Sequence, residues 1–236
     1  KVVEVPEDIF SWSDYLNNLD YFSNFRSTKE DKNKQKQYLN RAKFISEKKQ
    51  VINETNYLKS INLEPTAYKI YDGNIDRALQ LCNKTNQFNL RTQRYQYDDI
   101  NKIIKNNSDF CFITGLKDKY GDHGLVGFLC LKEINKDYIF LDNFLLSCRI
   151  LGRYLESWVL KEALKRSLKC GYKYLVGEYI KTERNSIVEN LFKEYGFLEF
   201  TIKENMDSKV KDFIDNRKLY YISTNTNYLH HGDIYE

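Results

Sequence analysis

Six consecutive residues, Arg149-Ile150-Leu151-Gly152-Arg153-Tyr154, set two guanidinium groups and a glycine between an apolar run and an amphipathic stretch. Where a strand hands over to a helix, the first N–H groups lack intrahelical partners and the helix dipole is positive. Such a segment suits a diphosphate; a plain helix start accounts for the same residues. Cys148, one residue upstream, is a candidate nucleophile, because the dipole of the following helix favours its thiolate. An inert thiol in an apolar strand is the alternative. Glu178 ends a strand facing this loop and is the first choice for a general base, with Asp142 in the preceding strand as the second. A solvated edge carboxylate and a buried hydrogen-bonded one explain these two as well. His123 sits in a Gly-bounded turn, exposed enough to titrate. His230 and His231 are adjacent, so their side chains diverge on any regular element and no metal site is expected.

The elements that must position these residues follow from patterning. Val2, Val3 and Val5 before Pro6 read as the end of a strand leaving a preceding fold. Thr28-Lys29-Glu30-Asp31 reads as a helix cap, followed by a polar helix to about Lys48 with Tyr38, Ala42 and Ile45 on one face. Short helices are expected at 57–61 and 75–82, which makes residues 1–85 a tail plus a small helical region. From Phe88 the texture alternates: strand 88–95, helix 98–105, strand 110–116, a turn at 120–124 and a returning strand 125–133. Residues 138–148 are apolar on both faces, as a covered central strand requires. A helix is expected over 151–170, stopped by Gly171, then a strand at 174–179. Thr182 caps a further helix carrying Ile187, Leu191 and Tyr195, and a last strand follows Gly196. The order β-α-β-β-β-α-β-α-β predicts an α/β domain over 86–236, a central mixed sheet flanked by helices.

Bulk composition narrows the function classes. Apolar residues make up 42% of 236, enough for a sizeable core, and two prolines leave little room for a disordered linker. The net charge of +4 is spread in mixed-sign clusters, which argues against a nucleic-acid-tracking surface. Five widely spaced cysteines without a CxxC pair suggest neither a zinc site nor a disulfide framework, but reduced thiols in a cytoplasmic protein. No apolar stretch approaches the ~20 residues that span a bilayer, and no signal peptide is read. The first residue is Lys1 and the single methionine is Met206, so the chain reads as a fragment.

The loop at 149–154 resembles the (Q/R)xxGx(G/A) segment with which GNAT acyltransferases hold coenzyme A. Arg149 and Gly152 match, and Tyr154 stands where that pattern ends in a small residue. The resemblance implies the GNAT fold and a CoA, acetyl-CoA or phosphopantetheine ligand contacted by Arg149, Ile150, Leu151, Gly152, Arg153 and Tyr154. It places Asn185 where such proteins contact the pantetheine arm. Tyr195 falls where they often carry a general acid, and its helical spacing equally makes it core filling.

Four phrases in order carry a narrower resemblance: 84–89 (KTNQFN), 120–127 (YGDHGLVG), 146–153 (LSCRILGR) and 182–185 (TERN). They are similar to the FkbH-like family, in which a HAD-like domain precedes a GNAT-like one. That resemblance implies handling of a glyceryl unit on an acyl carrier protein, toward extender units such as methoxymalonyl-ACP. The paired aspartates of the HAD domain are absent from this sequence. A non-catalytic docking module for the carrier protein and a stand-alone N-acetyltransferase are the alternatives.

Overall fold

The computed structural model describes residues 8, 11, 12, 15, 29–201, 207–226 and 229–235, with side chains in the first helix from residue 36 onward. They fall into two compact units, 1–39 and 40–236. In the first, the Ser11 N–H and hydroxyl both donate to the Asp8 carbonyl, at 3.2 and 2.7 Å. Helix α1 (Lys29–Lys48) starts there and continues into the second. The expected strand end at residues 2–6 and the cap at Thr28 lie outside the described residues.

The second unit holds α2 (Glu54–Ser60), β1 (Glu64–Lys69), α3 (Asp72–Lys84), β2 (Phe88–Asn89), α4 (Tyr97–Asn106), β3 (Cys111–Asp118) and β4 (Gly121–Glu133). After these come β5 (Tyr138–Leu146), α5 (Leu155–Lys169), β6 (Tyr174–Glu178), α6 (Leu191–Glu194), β7 (Leu198–Glu199), α7 (Ser208–Ile214) and β8 (Leu219–Ser223). The strands form one mixed sheet in the order β1-β3-β4-β5-β6-β8-β7, with β2 on β5. The period of two sorts β4 and β5 between two cores. Phe128, Cys130 and Leu145 pack with Ala78, Leu81 and Ile100 of α3 and α4. Leu129, Leu131, Phe144 and Leu146 pack with Leu155, Val159, Leu160 and Ala163 of α5. Both faces of the central strands are therefore covered, which is why residues 138–146 read as largely apolar on both faces.

Several expected boundaries move. Residues 64–84 supply β1 and α3 to the sheet and its core; β1 is a mostly exposed edge strand whose sequence lacks an apolar alternation. The strand expected at 88–95 pairs only over two residues, because Thr92 turns the chain with a φ of 52°. The hairpin turn lies at 119–120, so His123 and Gly124 belong to β4. Helix α5 begins at Leu155 rather than 151, and the helix expected from Thr182 is a 3-10 turn at Ser186–Val188 followed by α6. On α1, Phe44 is the buried residue, while Ala42 and Ile45 are exposed. At the far end of α5 the expected stop holds: Gly171 has a φ of +88°, its N–H bonds Leu168 O, and Tyr172 N–H bonds Ser167 O. These two hydrogen bonds satisfy the carbonyls of Ser167 and Leu168 in the last turn.

One cysteine expectation is overturned. Cys111 and Cys130 form a disulfide across the β3–β4 pair, where they are direct partners with Cα atoms 4.5 Å apart. Hairpin register creates this proximity, and a sequence spacing of 19 does not reveal it. Among the described residues no helix is long and apolar enough to cross a membrane.

Candidate functional site

The segment leaving β5 is built by local bonds. Ser147 Oγ accepts from the Arg149 N–H at 3.5 Å and Nε at 3.3 Å, and Ser147 O accepts from Ile150 N–H at 3.2 Å, tightening Cys148–Ile150 into a 3-10 turn. Gly152 follows with a φ of +87° and Tyr154 with +53°. The Gly152 carbonyl accepts from Lys48 Nζ at 2.8 Å.

Most of the expected cradle is committed to the fold. Arg153 is fully buried; its Nε reaches Asp118 Oδ2 at 2.7 Å and its guanidinium lies 3.9 Å from the centre of the Phe44 ring. Burial alone would raise the Asp118 carboxyl, but a hydrogen bond from His123 and the charge and hydrogen bond of Arg153 hold it below the usual range. His123 is thus a buried partner of Asp118, at 2.9 Å, and not an exposed turn residue. Ile150 is buried and Leu151 packs against the α5 core. Residues near the chain's end cover the start of α5. The Tyr154 ring stacks on His231 with centroids 3.6 Å apart, Tyr235 OH donates to Arg153 O at 2.7 Å, and Ser157 Oγ donates to His230 O at 2.9 Å. The bare helix end that the sequence suggested is a packed one.

The second feature is a seam in the sheet. Parallel strands β5 and β6 pair over three residues, Tyr138↔Tyr174 to Phe140↔Val176, and then part. Phe88–Leu90 fills the opening: β2 pairs with Leu145 and Leu146, Leu90 N–H donates to Phe144 O at 3.3 Å, and Ile180 N–H donates to Leu90 O at 2.9 Å. Arg91 closes it with Nε to Glu178 Oε2 at 2.8 Å and Nη1 to Asp142 Oδ1 at 2.6 Å. Arg217 grips Glu178 from the other side at 2.9 and 2.7 Å, and Tyr95 OH donates to Asp142. Burial alone would raise the Glu178 carboxyl, but the hydrogen bonds and charges of Arg217 and Arg91 keep it below the ordinary carboxylate range. Glu178 is therefore an ionised carboxylate held between two guanidinium groups. A base that must take a proton near neutral pH needs the opposite environment.

Asn185, expected at a pantetheine arm, spends its amide on the chain itself. Its Nδ2 donates to Asn89 O at 2.9 Å and Ile180 O at 3.0 Å; its Oδ1 accepts from Thr182 N–H at 2.8 Å and Tyr179 OH at 3.3 Å. It is the clasp that fixes β2 in the seam. Tyr195 is buried with an unpartnered hydroxyl among the described residues, edge-on to His230; burial and the Glu156 charge push its pKa up. Glu156, in the first turn of α5, is pushed to about 7 by burial.

The third feature is open. A cavity of about 350 Å³ is lined by Arg77, Lys84, Cys148, Arg149 and Arg184, with neutral residues between them. Cys148 is exposed there, not buried in a strand. A neighbouring cavity of about 470 Å³ shares Asn86 and Arg184 and adds Arg94. Arg77 is anchored by Nε and Nη2 bonds to Leu125 O at 3.2 and 2.9 Å; burial and the nearby Arg149 charge lower its pKa. The structure thus gathers Cys148 and Arg149 of the expected residues at this mouth and places Arg153, Tyr154, Asn185 and Tyr195 in packing roles. Arg77 and Lys84, seven residues apart, carried a readable signal as two turns of one helix face; Arg91 and Arg217 carried none. Among the described residues no group of three His, Cys, Asp or Glu is placed to hold a metal ion.

No protein-family model matches the sequence, and no curated protein matches it significantly. Solved structures do resemble it. N-acetylglutamate synthase from Neisseria gonorrhoeae, crystallised with coenzyme A and N-acetyl-glutamate, aligns with a TM-score of 0.50 at 14% identity, over 69% of this chain and 36% of that one. The chain therefore spans about a third of that enzyme's length. Ard1 from Thermoplasma volcanium aligns at 0.48 and 14% over 67% and 97% of the two chains. Rv2747 from Mycobacterium tuberculosis, solved with CoA and NLQ, aligns at 0.49 and 12% over 67% and 98%. At such identities the likeness is one of fold. The eight-stranded mixed sheet flanked by helices is the GNAT fold that the sequence predicted.

Proposed function

We propose that this chain is a GNAT-type acyltransferase module that engages an acyl group on CoA or on the phosphopantetheine of an acyl carrier protein. The observation that carries the reading is the position of the Ser147–Arg149 turn. It leaves β5 at the mouth of the seam where β5 and β6 part, in a GNAT sheet, with a thiol and cationic side chains exposed there. The four phrases shared with FkbH-like proteins point to the carrier-protein form of the ligand, an upstream HAD-like domain, extender-unit synthesis and a cytoplasmic setting. A stand-alone acetyl-CoA-dependent N-acetyltransferase has the same fold.

A second reading, a non-catalytic docking module for the carrier protein, is favoured by the seam itself. A pantetheine arm is an extended diamide and would pair with a strand edge as a peptide does. Here Phe88–Leu90 occupies that edge and Arg91 and Arg217 neutralise Glu178. Calorimetric titration with CoA, acetyl-CoA and phosphopantetheinylated carrier protein, followed by an acyl-transfer assay, separates the cases. Binding of acetyl-CoA with turnover supports the enzyme; binding of the carrier protein alone, without turnover, supports docking. Failure of all three ligands to bind removes both.

A further inference from the structure

The start of α5, which the sequence offers to an anion, lies under residues 230–235. We infer that this segment is a lid, closed in this structure, which lifts from the first turn of α5 to admit a phosphorylated ligand. That the ligand is an acyl donor rests on the reading above; the lid does not.

The contacts that hold the lid are few and specific. Ile234 packs in the cluster of Phe44, Tyr57 and Ile61. Tyr235 OH donates to Arg153 O at 2.7 Å, Ser157 Oγ donates to His230 O at 2.9 Å, and the His231 ring stacks on Tyr154. The ion pair of Lys59 with Asp233, at 3.4 Å, joins two exposed side chains and adds little. What opposes closure sits in the same place. Tyr195 lies edge-on to His230, and the Glu156 charge reaches both Tyr195 and Tyr235. The Tyr195 hydroxyl and Glu156 Oε2 are buried, and among the described residues neither has a hydrogen-bond partner. A buried polar group left unpaired costs more than an ordinary hydrogen bond returns, and water would satisfy both groups once the segment lifts. Tyr154 and His231, stacked on each other, also take φ values of 53° and 58°, a left-handed backbone that a residue with a Cβ adopts at a cost. Opening relieves both penalties and bares the N-terminal end of a 15-residue helix, whose dipole favours a phosphate. While the lid is closed, the apparent affinity for that phosphate is reduced by the fraction of molecules that are open.

Hydrogen–deuterium exchange and calorimetry on the full chain, run side by side, test this. Tyr235→Phe removes the tether to Arg153 O and should shift the lid toward open by about fivefold, the worth of one hydrogen bond. Exchange of the 229–235 amides is expected to quicken by that factor, and affinity for inorganic diphosphate and for CoA to rise by the same factor. Tyr195→Phe removes an unpaired hydroxyl from beneath the closed lid, so it should raise the melting temperature, slow that exchange and weaken both ligands. Side chains that only pack would move the melting temperature and leave the affinities alone. Exchange that ignores both variants, or affinities that stay fixed while exchange changes, overturns the lid. CoA binding equally to all three chains overturns it and leaves the donor reading standing. Diphosphate affinity that follows exchange, with no binding of CoA or of the phosphopantetheinylated carrier protein, supports the lid and removes the donor reading. Failure of diphosphate and CoA to bind any of the three chains overturns both.

Discussion

Arg153→Met is the substitution that separates a ligand contact from a core residue. Arg153 has no exposed surface, its Nε is 2.7 Å from Asp118 Oδ2, and Asp118 is itself buried. Methionine keeps much of the volume but strands a carboxylate in the interior, where, among the described residues, His123 and the Tyr120 N–H, at 2.9 and 2.8 Å, remain beside it. Removing one partner of such a pair costs ~3–5 kcal/mol. For a domain of this size that is a fall in melting temperature of roughly 6–20 °C. Adding Asp118→Asn removes the stranded charge and is expected to restore most of the loss, a coupling that only neighbouring groups show. The pH sign follows from the depressed Asp118 pKa: the stabilisation is present above its ordinary value of 3.8 and is lost as the pH falls below it. Differential scanning fluorimetry across pH 3–8 reads both effects, with the assay range set around the ordinary carboxylate values. An Arg153→Met protein that melts like the parent yet binds CoA more weakly would refute this reasoning and return Arg153 to the ligand site.

Glu156→Gln should flatten the pH dependence of stability between 4.5 and about 7. The raised carboxyl keeps its proton longer folded than unfolded, so the parent loses stability as the pH rises through that window. Asn185→Ala breaks four hydrogen bonds at the β2 clasp and should cost ~2–3 kcal/mol in urea unfolding. At Gly177 a Cβ would clash with the edge of the Phe192 ring, so Gly177→Ala should destabilise by ~1–3 kcal/mol; a neutral result would mean the ring is free to move. Thiol titration of the unfolded, unreduced chain should count three free cysteines of the five, and a count of five would remove the Cys111–Cys130 bond.

The fold was legible because its signals are local. The apolar run of β5, the α5 stripe closed by Gly171, and the hairpin after β3 each depend on residues near in sequence. What stayed hidden depends on register and edges. β1 is polar because one edge of it meets solvent, and the disulfide exists only because the hairpin pairs Cys111 with Cys130. The seam is filled by Phe88–Leu90, four elements upstream of β5, and no motif marks a segment that will slot into a sheet from that distance.

The site shows the same divide in its charges. A motif assigns an arginine a role by its neighbours in the chain, but its free energy is set by its neighbours in space. Burying a guanidinium is expensive unless a carboxylate or ring face meets it, so a buried, paired arginine is explained by the fold alone. Arg153 on Asp118 and Phe44, and Arg91 and Arg217 around Glu178, are of that kind. Arg149 of the expected cradle lies beside Cys148 in the wall of the open cavity and Arg153 belongs to the core, although only three residues separate them in one motif.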